Sequence, residues 1–349
     1  MPGVFGAMAR PAILAAGRSR GLRRAAERIP LTRRVVGRFV SGETADDAVK
    51  AIEILRDSGR FVTVDYLGED VRNETVAQAT AGAYLGLLDR IATAGPEGGP
   101  RPVEISLKLS ALGRALPRDG AKIALELARQ ICAKADTAGV WVSVDAEDHT
   151  STDSTLSIVR ELRIDFPWLG AVLQAYLRRT EADCREFSAA GARIRLCKGA
   201  YDEPLSVAYR DRAEITGNYL RCLRVLMEGP GYPMVASHDP VIIDAAGVML
   251  GETGRGVDDF EFQMLYGIRE AEQRRLVADG HHVRVYVPYG SQWYGYFVRR
   301  LAERPANLAF FLRALSERWN RSGRERRDRH HHAAATETGG DIGVPHATQ

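Results

Sequence analysis

Residues 284–307 read RVYVPYGSQWYGYFVRRLAERPAN. Aromatic and β-branched residues crowd the first part, Gly290 breaks the run, and a helical pattern follows. The stretch therefore predicts a strand, a tight turn and a helix whose inner face carries Arg299, Arg300 and Glu303. Two adjacent guanidinium groups on a helix that begins beside the C-terminal end of a strand form a fork for a small carboxylate.

The same unit repeats upstream. Strands are predicted at 61–66 (FVTVDY), 103–109, 140–145, 171–176, 192–197, 233–238, 259–264 and 282–287. Helical patterns follow at 73–93, 119–138, 152–164, 179–190, 204–228, 239–250, 267–279 and 291–303. Strictly alternating strands and helices call for a parallel sheet. Eight such units match the size of an α/β fold of the (β/α)8 TIM-barrel type, here distorted and with extra N-terminal helices. A doubly wound sheet is the alternative. The expected organisation is a basic helical arm at 1–45, a barrel at 46–316 and a polar, disordered tail at 317–349.

Composition places the chain among ordinary globular proteins, with 45% hydrophobic and 27% charged residues and a net charge of +3. That balance gives no reason to expect a nucleic-acid partner. Charge is uneven, however: residues 1–40 hold nine arginines against one acid, Glu27. Such an arm reads as a solvated helix, as a membrane-surface or docking helix, or as a transit peptide. No run of 18 apolar residues predicts a membrane span, and Arg10 interrupts the apolar start that a signal peptide needs. Cys132, Cys184, Cys197 and Cys222 form no CxxC pair and are expected as reduced thiols of a cytoplasmic protein. His330, His331 and His332 lack a carboxylate or cysteine at ligand spacing, so no metal is expected. A GxGxxG turn and a Walker loop are both missing.

Barrel enzymes work at the C-terminal ends of their strands. Those ends carry Asp65, Lys108, Asp145, Gln174, Arg195 with Lys198, His238, Gln263 and Tyr286. Lys108 lies in an apolar strand, and a buried lysine is costly unless paired; it either reaches water or pairs with Asp145. Glu147 and Asp148 read as helix N-cap and first-turn acids. Gln174 is a satisfied core amide or a ligand contact. In Arg195-Leu-Cys-Lys-Gly-Ala-Tyr201, the small Gly199 and Ala200 let backbone approach a flat ring or a pyrophosphate, or simply form a kinked turn. His238, between Ser237 and Asp239, suits a base, a metal ligand or a cofactor contact.

Taken in order, KLSAL at 108–112, DAE at 145–147, QAY at 174–176, RLCKGAY at 195–201, SHD at 237–239, FEFQMLYG at 260–267 and the 284–307 run resemble the FAD-dependent proline dehydrogenases, of the monofunctional type. The resemblance covers about 60–310; Cys197 and Asp202 depart from the usual pattern. It implies oxidation of L-proline to Δ1-pyrroline-5-carboxylate, the first step of proline catabolism to glutamate, with hydride passing to N5 of FAD and electrons then to a quinone. It also implies a basic arm touching the inner face of the membrane, and a pyrroline-5-carboxylate dehydrogenase on a separate chain. Asp145 and Arg195 would be catalytic. Lys108, Leu265, Tyr286, Arg299 and Arg300 would bind substrate. Ala146, Gln174, Arg195, Lys198, Gly199, Ala200, Tyr201, Ser237, His238, Asp239 and Glu303 would bind the cofactor. Another cyclic imino acid such as hydroxyproline, and a non-catalytic carboxylate-binding barrel, are the rival readings.

Overall fold

The computed structural model describes residues 36–91 and 100–303, with side chains described up to 298. The expected N-terminal arm before residue 36, the tail at 317–349, and the side chains of Arg299, Arg300 and Glu303 lie outside the described residues. Residues Gly37–Phe297 form one compact unit.

A helix, α1 (Ala45–Asp57), precedes the first strand. Thr44 starts it with a reciprocal cap: its hydroxyl accepts the Asp47 N–H while Asp47 accepts the Thr44 N–H. Then come β1 (Phe61–Tyr66), α2 (Glu74–Ile91), β2 (Val103–Leu107), α3 (Gly120–Thr137), β3 (Trp141–Val144), α4 (Thr152–Asp165), β4 (Gly170–Gln174) and α5 (Thr180–Ala189). The second half holds β5 (Arg193–Cys197), α6 (Arg212–Glu228), β6 (Tyr232–Ala236), α7 (Pro240–Thr253), β7 (Glu261–Leu265), α8 (Glu270–Ala278), β8 (Val283–Tyr289) and α9 (Trp293–Glu303). All eight strands pair in parallel in chain order, and β8 returns to β1 to close the barrel. The α/β barrel reading holds; the doubly wound alternative does not.

One element differs from expectation. The helix predicted from 204 begins only at Arg212, because the side chain of Asp211 accepts from Ala213 N and Glu214 N and so sets the N-terminus there. Residues 202–211 are instead a folded loop, in which Pro204 provides carbonyl turns to Val207 and Ala208.

Strand residues alternate between two buried environments. Val62 and Val64, Val103, Ile105 and Leu107, Val142 and Val144, and Ile194 and Leu196 join the apolar cluster formed with the helices. The other parity supplies Thr63 and Asp65, Glu104 and Ser106, Ser143 and Asp145, and Arg193 and Arg195, also buried. Barrel lumens are usually filled by branched apolar side chains. Here the lumen is largely ionic, and that is what builds the site. Among the described residues, no helix is long and apolar enough to cross a membrane.

Candidate active site

Strand period two decides which side chains meet. Thr63 stands beside Glu104 in the parallel register, and Asp65 beside Ser106. Lys108, one residue past β2, therefore leans over Asp65. Its ammonium lies 2.8 and 2.7 Å from the two Asp65 oxygens and 3.3 Å from Asp145 Oδ2. The expected partner, Asp145, is thus present, but Asp65 is closer. The reason is topological: β1 and β2 are hydrogen-bonded neighbours as surely as β2 and β3.

Asp145 is held from four sides. Ser106 Oγ and Tyr286 OH each donate to it at 2.7 Å, Arg195 Nη1 donates at 2.9 Å, and Lys108 completes the set. Burial would raise the Asp145 carboxyl, but Lys108 and Arg195 outweigh it and hold the group below the usual range. For Asp65, burial wins over Lys108, and its carboxyl is pushed up. Burial opposes the Lys108 charge, yet Asp65, Tyr286 and Asp145 drive its pKa well above the usual lysine value. Lys108 therefore stays an ammonium at neutral pH and cannot act as a base there. Tyr286 is pushed far up by burial and by Asp145, so it remains a hydroxyl donor.

Below this layer, Arg195 donates from Nε to Gln263 Oε1 at 2.6 Å and from Nη1 to Ser106 at 2.9 Å. Its Nη2 reaches Thr63 Oγ1 and pairs with Glu104. Glu104 also binds Arg193, whose guanidinium stacks 3.6 Å from the Trp141 ring centroid. Lower still, Arg284 is fully buried and grips Glu261 at 2.6 and 2.9 Å. The lumen balances four carboxylates, Asp65, Glu104, Asp145 and Glu261, against four cations, Lys108, Arg193, Arg195 and Arg284. Balance matters because an uncompensated charge at this depth costs several kcal/mol.

Glu104, Arg193, Glu261 and Arg284 were missed by the strand-end reading, and Asp65 was not matched to Lys108. The signal was present: V-E-I-S-L-K and R-I-R-L alternate polar with apolar at period two, and in a closed barrel the polar parity has only the lumen to face. Glu147 also departs from expectation. It is buried beside the mouth, where its carboxylate accepts the Ser110 N–H at 3.1 Å, while Asp148 caps the following turn through Ser151 N. Glu147 has turned from the helix start into the β2 loop because an unpaired backbone N–H sits there to receive it.

A second group lies at the ends of β4–β6. Gln174 donates its amide to Glu147 O at 2.8 Å, so the amide nitrogen is fixed and its oxygen is turned the other way. Lys198 is part-buried and binds Asp239 Oδ2 at 2.6 Å and Thr216 Oγ1 at 3.0 Å. Asp239 caps α7 through Val241 N, and Ser237 Oγ accepts the Asp239 N–H. His238 Nε2 accepts the Leu265 N–H at 2.9 Å, which ties β6 to β7. Gly199 has φ +106°, and a Cβ there would run into the Tyr176 ring, so only glycine fits. The segment from Cys197 to Tyr201 is half-buried, a lip rather than a filled core. Ala200 lies in the same lip after β5, and Ala146 lies just past the end of β3.

The Lys108, Asp145, Arg195 and Tyr286 side chains thus converge at one barrel mouth, with Gln174, Lys198, Ser237, His238 and Asp239 on the adjoining strands. The profile described as Proline dehydrogenase matches residues 48–313. The proline dehydrogenase of Deinococcus radiodurans is 40% identical over 280 residues, covering 80% of this chain and 89% of that one. Proline dehydrogenase 1 of Bacillus subtilis is 38% identical over 284 residues, covering 81% and 91%. Among solved structures, proline utilization A from Bdellovibrio bacteriovorus, inactivated by N-propargylglycine, superposes with a TM-score of 0.71 at 28% identity. That match covers 77% of this chain but only 32% of that polypeptide, so the chain spans about a third of its length. With an ionic barrel mouth of this kind and a match along most of its length, the chain belongs to the proline dehydrogenase family of oxidoreductases.

Proposed function

We propose that the chain oxidises L-proline to Δ1-pyrroline-5-carboxylate with FAD as its cofactor, and that a quinone takes the electrons onward. The observation that carries this reading is the buried Lys108, Asp65, Asp145 and Tyr286 cluster at the mouth of the barrel.

The residues at the ends of β4–β6 fit a flavin dinucleotide. Gln174 gives one amide N–H to Glu147 O, which orients its side-chain oxygen as an acceptor for a ring N–H. Lys198 is paired with Asp239, whose carboxylate also caps α7, so it would meet a phosphate by sharing its part-buried ammonium between that carboxylate and the phosphate. The Gly199–Ala200 lip is half-buried and without bulk. Tyr201, Ser237, His238 and Asp239 complete the set, with Ala146 beside them and Glu303 assigned from the sequence. When bound, FAD supplies the two-electron acceptor that no side chain here can replace.

The protein's own work is to bind, orient and hold charge. Lys108, a fixed ammonium, attracts the substrate carboxylate; Arg299 and Arg300, assigned from the sequence, add the planar fork. Tyr286 and Leu265 bound the pyrrolidine ring. Asp145 stays ionised and holds Tyr286 and Arg195 in place. The substrate amine has to lose its proton before C5 gives up hydride, because an ammonium has no lone pair with which to form the imine. Neither Lys108 nor Asp145 takes that proton near neutral pH, so the amine is delivered neutral, in equilibrium with solvent.

The arginine-rich start of the chain would dock peripherally on the cytoplasmic membrane face, near the quinone, and the product would pass to a separate dehydrogenase. The test is a visible spectrum of the purified protein. A flavin band near ~450 nm that bleaches anaerobically with L-proline supports the reading; a colourless protein that takes up no FAD overturns it.

A further inference from the structure

Glu203 is a carboxylate that the chemistry at the barrel mouth does not use, yet it is buried to 5% exposure in a surface loop. Its Oε1 accepts the His149 backbone N–H at 2.9 Å and the Tyr176 hydroxyl at 3.2 Å. Its Oε2 meets His149 Nδ1, and Arg210 Nη2 donates to its carbonyl at 3.1 Å. Burial, with Glu203 alongside, pushes the Tyr176 phenol up, so the hydroxyl stays protonated and donates. One carboxylate therefore joins three separate segments: the turn after β3, the end of β4 and the loop after β5.

These segments are otherwise built around the same spot. Tyr176 N donates to Lys198 O, and Tyr209 N donates to Tyr176 O, each at 2.8 Å. Leu177 bridges Ala208 in an antiparallel pair. Tyr176, Leu177 and Ala208 form a small apolar cluster, apart from the main core, on which Tyr201, Val207 and Ile215 pack. The Tyr176 ring fills the space where a side chain at Gly199 would stand. The height of the Lys198–Tyr201 lip is thus set by where Tyr176 lies, and Tyr176 is tied by its hydroxyl to Glu203.

We propose that Glu203 is a positioning residue for the cofactor: by clamping Tyr176 and His149 together it holds the Lys198–Tyr201 lip at the height at which flavin is gripped. The inference rests on the FAD reading above. An orienting partner of this kind changes how tightly the group is held more than it changes the chemistry.

The test uses the holoenzyme. Release of FAD on dilution, followed by fluorescence, is measured for wild type, Glu203→Ala and Tyr176→Phe, together with the shape of the bound flavin band and the Tm. Tyr176→Phe keeps the ring beneath Gly199 and removes only the hydroxyl. The expected result is FAD binding about tenfold weaker in both variants, the worth of one hydrogen bond to a charged acceptor. The flavin band should alter in shape, and the Tm of Tyr176→Phe should stay near wild type. Should Glu203→Ala fail to fold, Tyr176→Phe decides alone. A yellow wild type whose Tyr176→Phe variant keeps FAD affinity and spectrum unchanged overturns the clamp and leaves the cofactor reading standing. A wild type that holds no flavin overturns both.

Discussion

The Lys108 ammonium binds both oxygens of Asp65, at 2.8 and 2.7 Å, and Asp65 is fully buried. The pair spans β1 and β2 and forms the floor on which Asp145 and Tyr286 are arranged. Charge at this floor is shared among neighbours rather than owned by one residue, and its removal has consequences that can be measured.

Asp65→Asn leaves Lys108 with Asp145 as its remaining ion-pair partner, at 3.3 Å. Breaking a buried pair costs about 3–5 kcal/mol when the other charge is left alone; with Asp145 still beside Lys108, and burial already working against the Asp65 charge, the loss stays below that. At ~2–4 °C per kcal/mol, Tm should fall, but by less than roughly 12 °C. Thermal unfolding of the two proteins checks this; a Tm indistinguishable from wild type would mean that the Lys108 charge is compensated elsewhere.

Glu104 makes an acid-stability prediction. Burial works against its charge, but Arg195, Arg193 and Arg284 prevail and lower its pKa from 4.5 to about 2. Between those values the unfolded chain binds the proton and the folded one does not. Its stabilisation is complete above about pH 4.5 and is lost as pH falls toward 2. The difference amounts to about 3 kcal/mol. Urea unfolding from neutral to acid pH should show a shallower acid decline for Glu104→Gln than for wild type, on a lower neutral plateau.

Tyr286→Phe removes the hydroxyl that donates to Asp145 at 2.7 Å while Ser106, Arg195 and Lys108 remain. Folding should be nearly unaffected. Steady-state kinetics should show kcat/KM for proline reduced about tenfold, a hydrogen bond to a charged group. An unchanged kcat/KM would show that the hydroxyl serves only the fold.

Arg300→Lys should raise KM for proline with less effect on kcat, because an ammonium cannot form the planar two-point contact of a guanidinium. Equal KM values in steady-state assays would move the carboxylate site away from Arg300.

Turnover should rise with pH through the neutral and mildly alkaline range. Lys108 is held well above its usual pKa and Asp145 below its own, so neither titrates in that window. The rise reports loss of the proton from the substrate amine, and Asp65→Asn and Glu147→Gln, which remove the two mouth carboxyls that burial pushes up, should keep it. Initial rates at fixed proline across the range check this; a flat profile would contradict the neutral-amine step.

The sequence alone determined the eight strands, the barrel and the strand-end positions Lys108, Asp145, Gln174, Lys198 and His238; Arg195 and Tyr286, expected at strand ends, lie instead inside β5 and β8 and reach the site from within the lumen. Strands and their ends are local properties: period-two alternation, glycine breaks and caps such as Asp239 act over a few residues and can be read one element at a time. Only the tertiary structure decided which charges meet. Asp65 takes Lys108, Glu104 sits between Arg193 and Arg195, and Glu203 reaches back to His149 across 54 residues. Those pairings follow from barrel closure and from the relative height of neighbouring strands. The unit count shows the barrel and the alternation shows a polar parity, but the register that pairs one charge with another leaves no trace in the linear order, because a parallel register is a long-range contact, made only once the intervening helix has folded back.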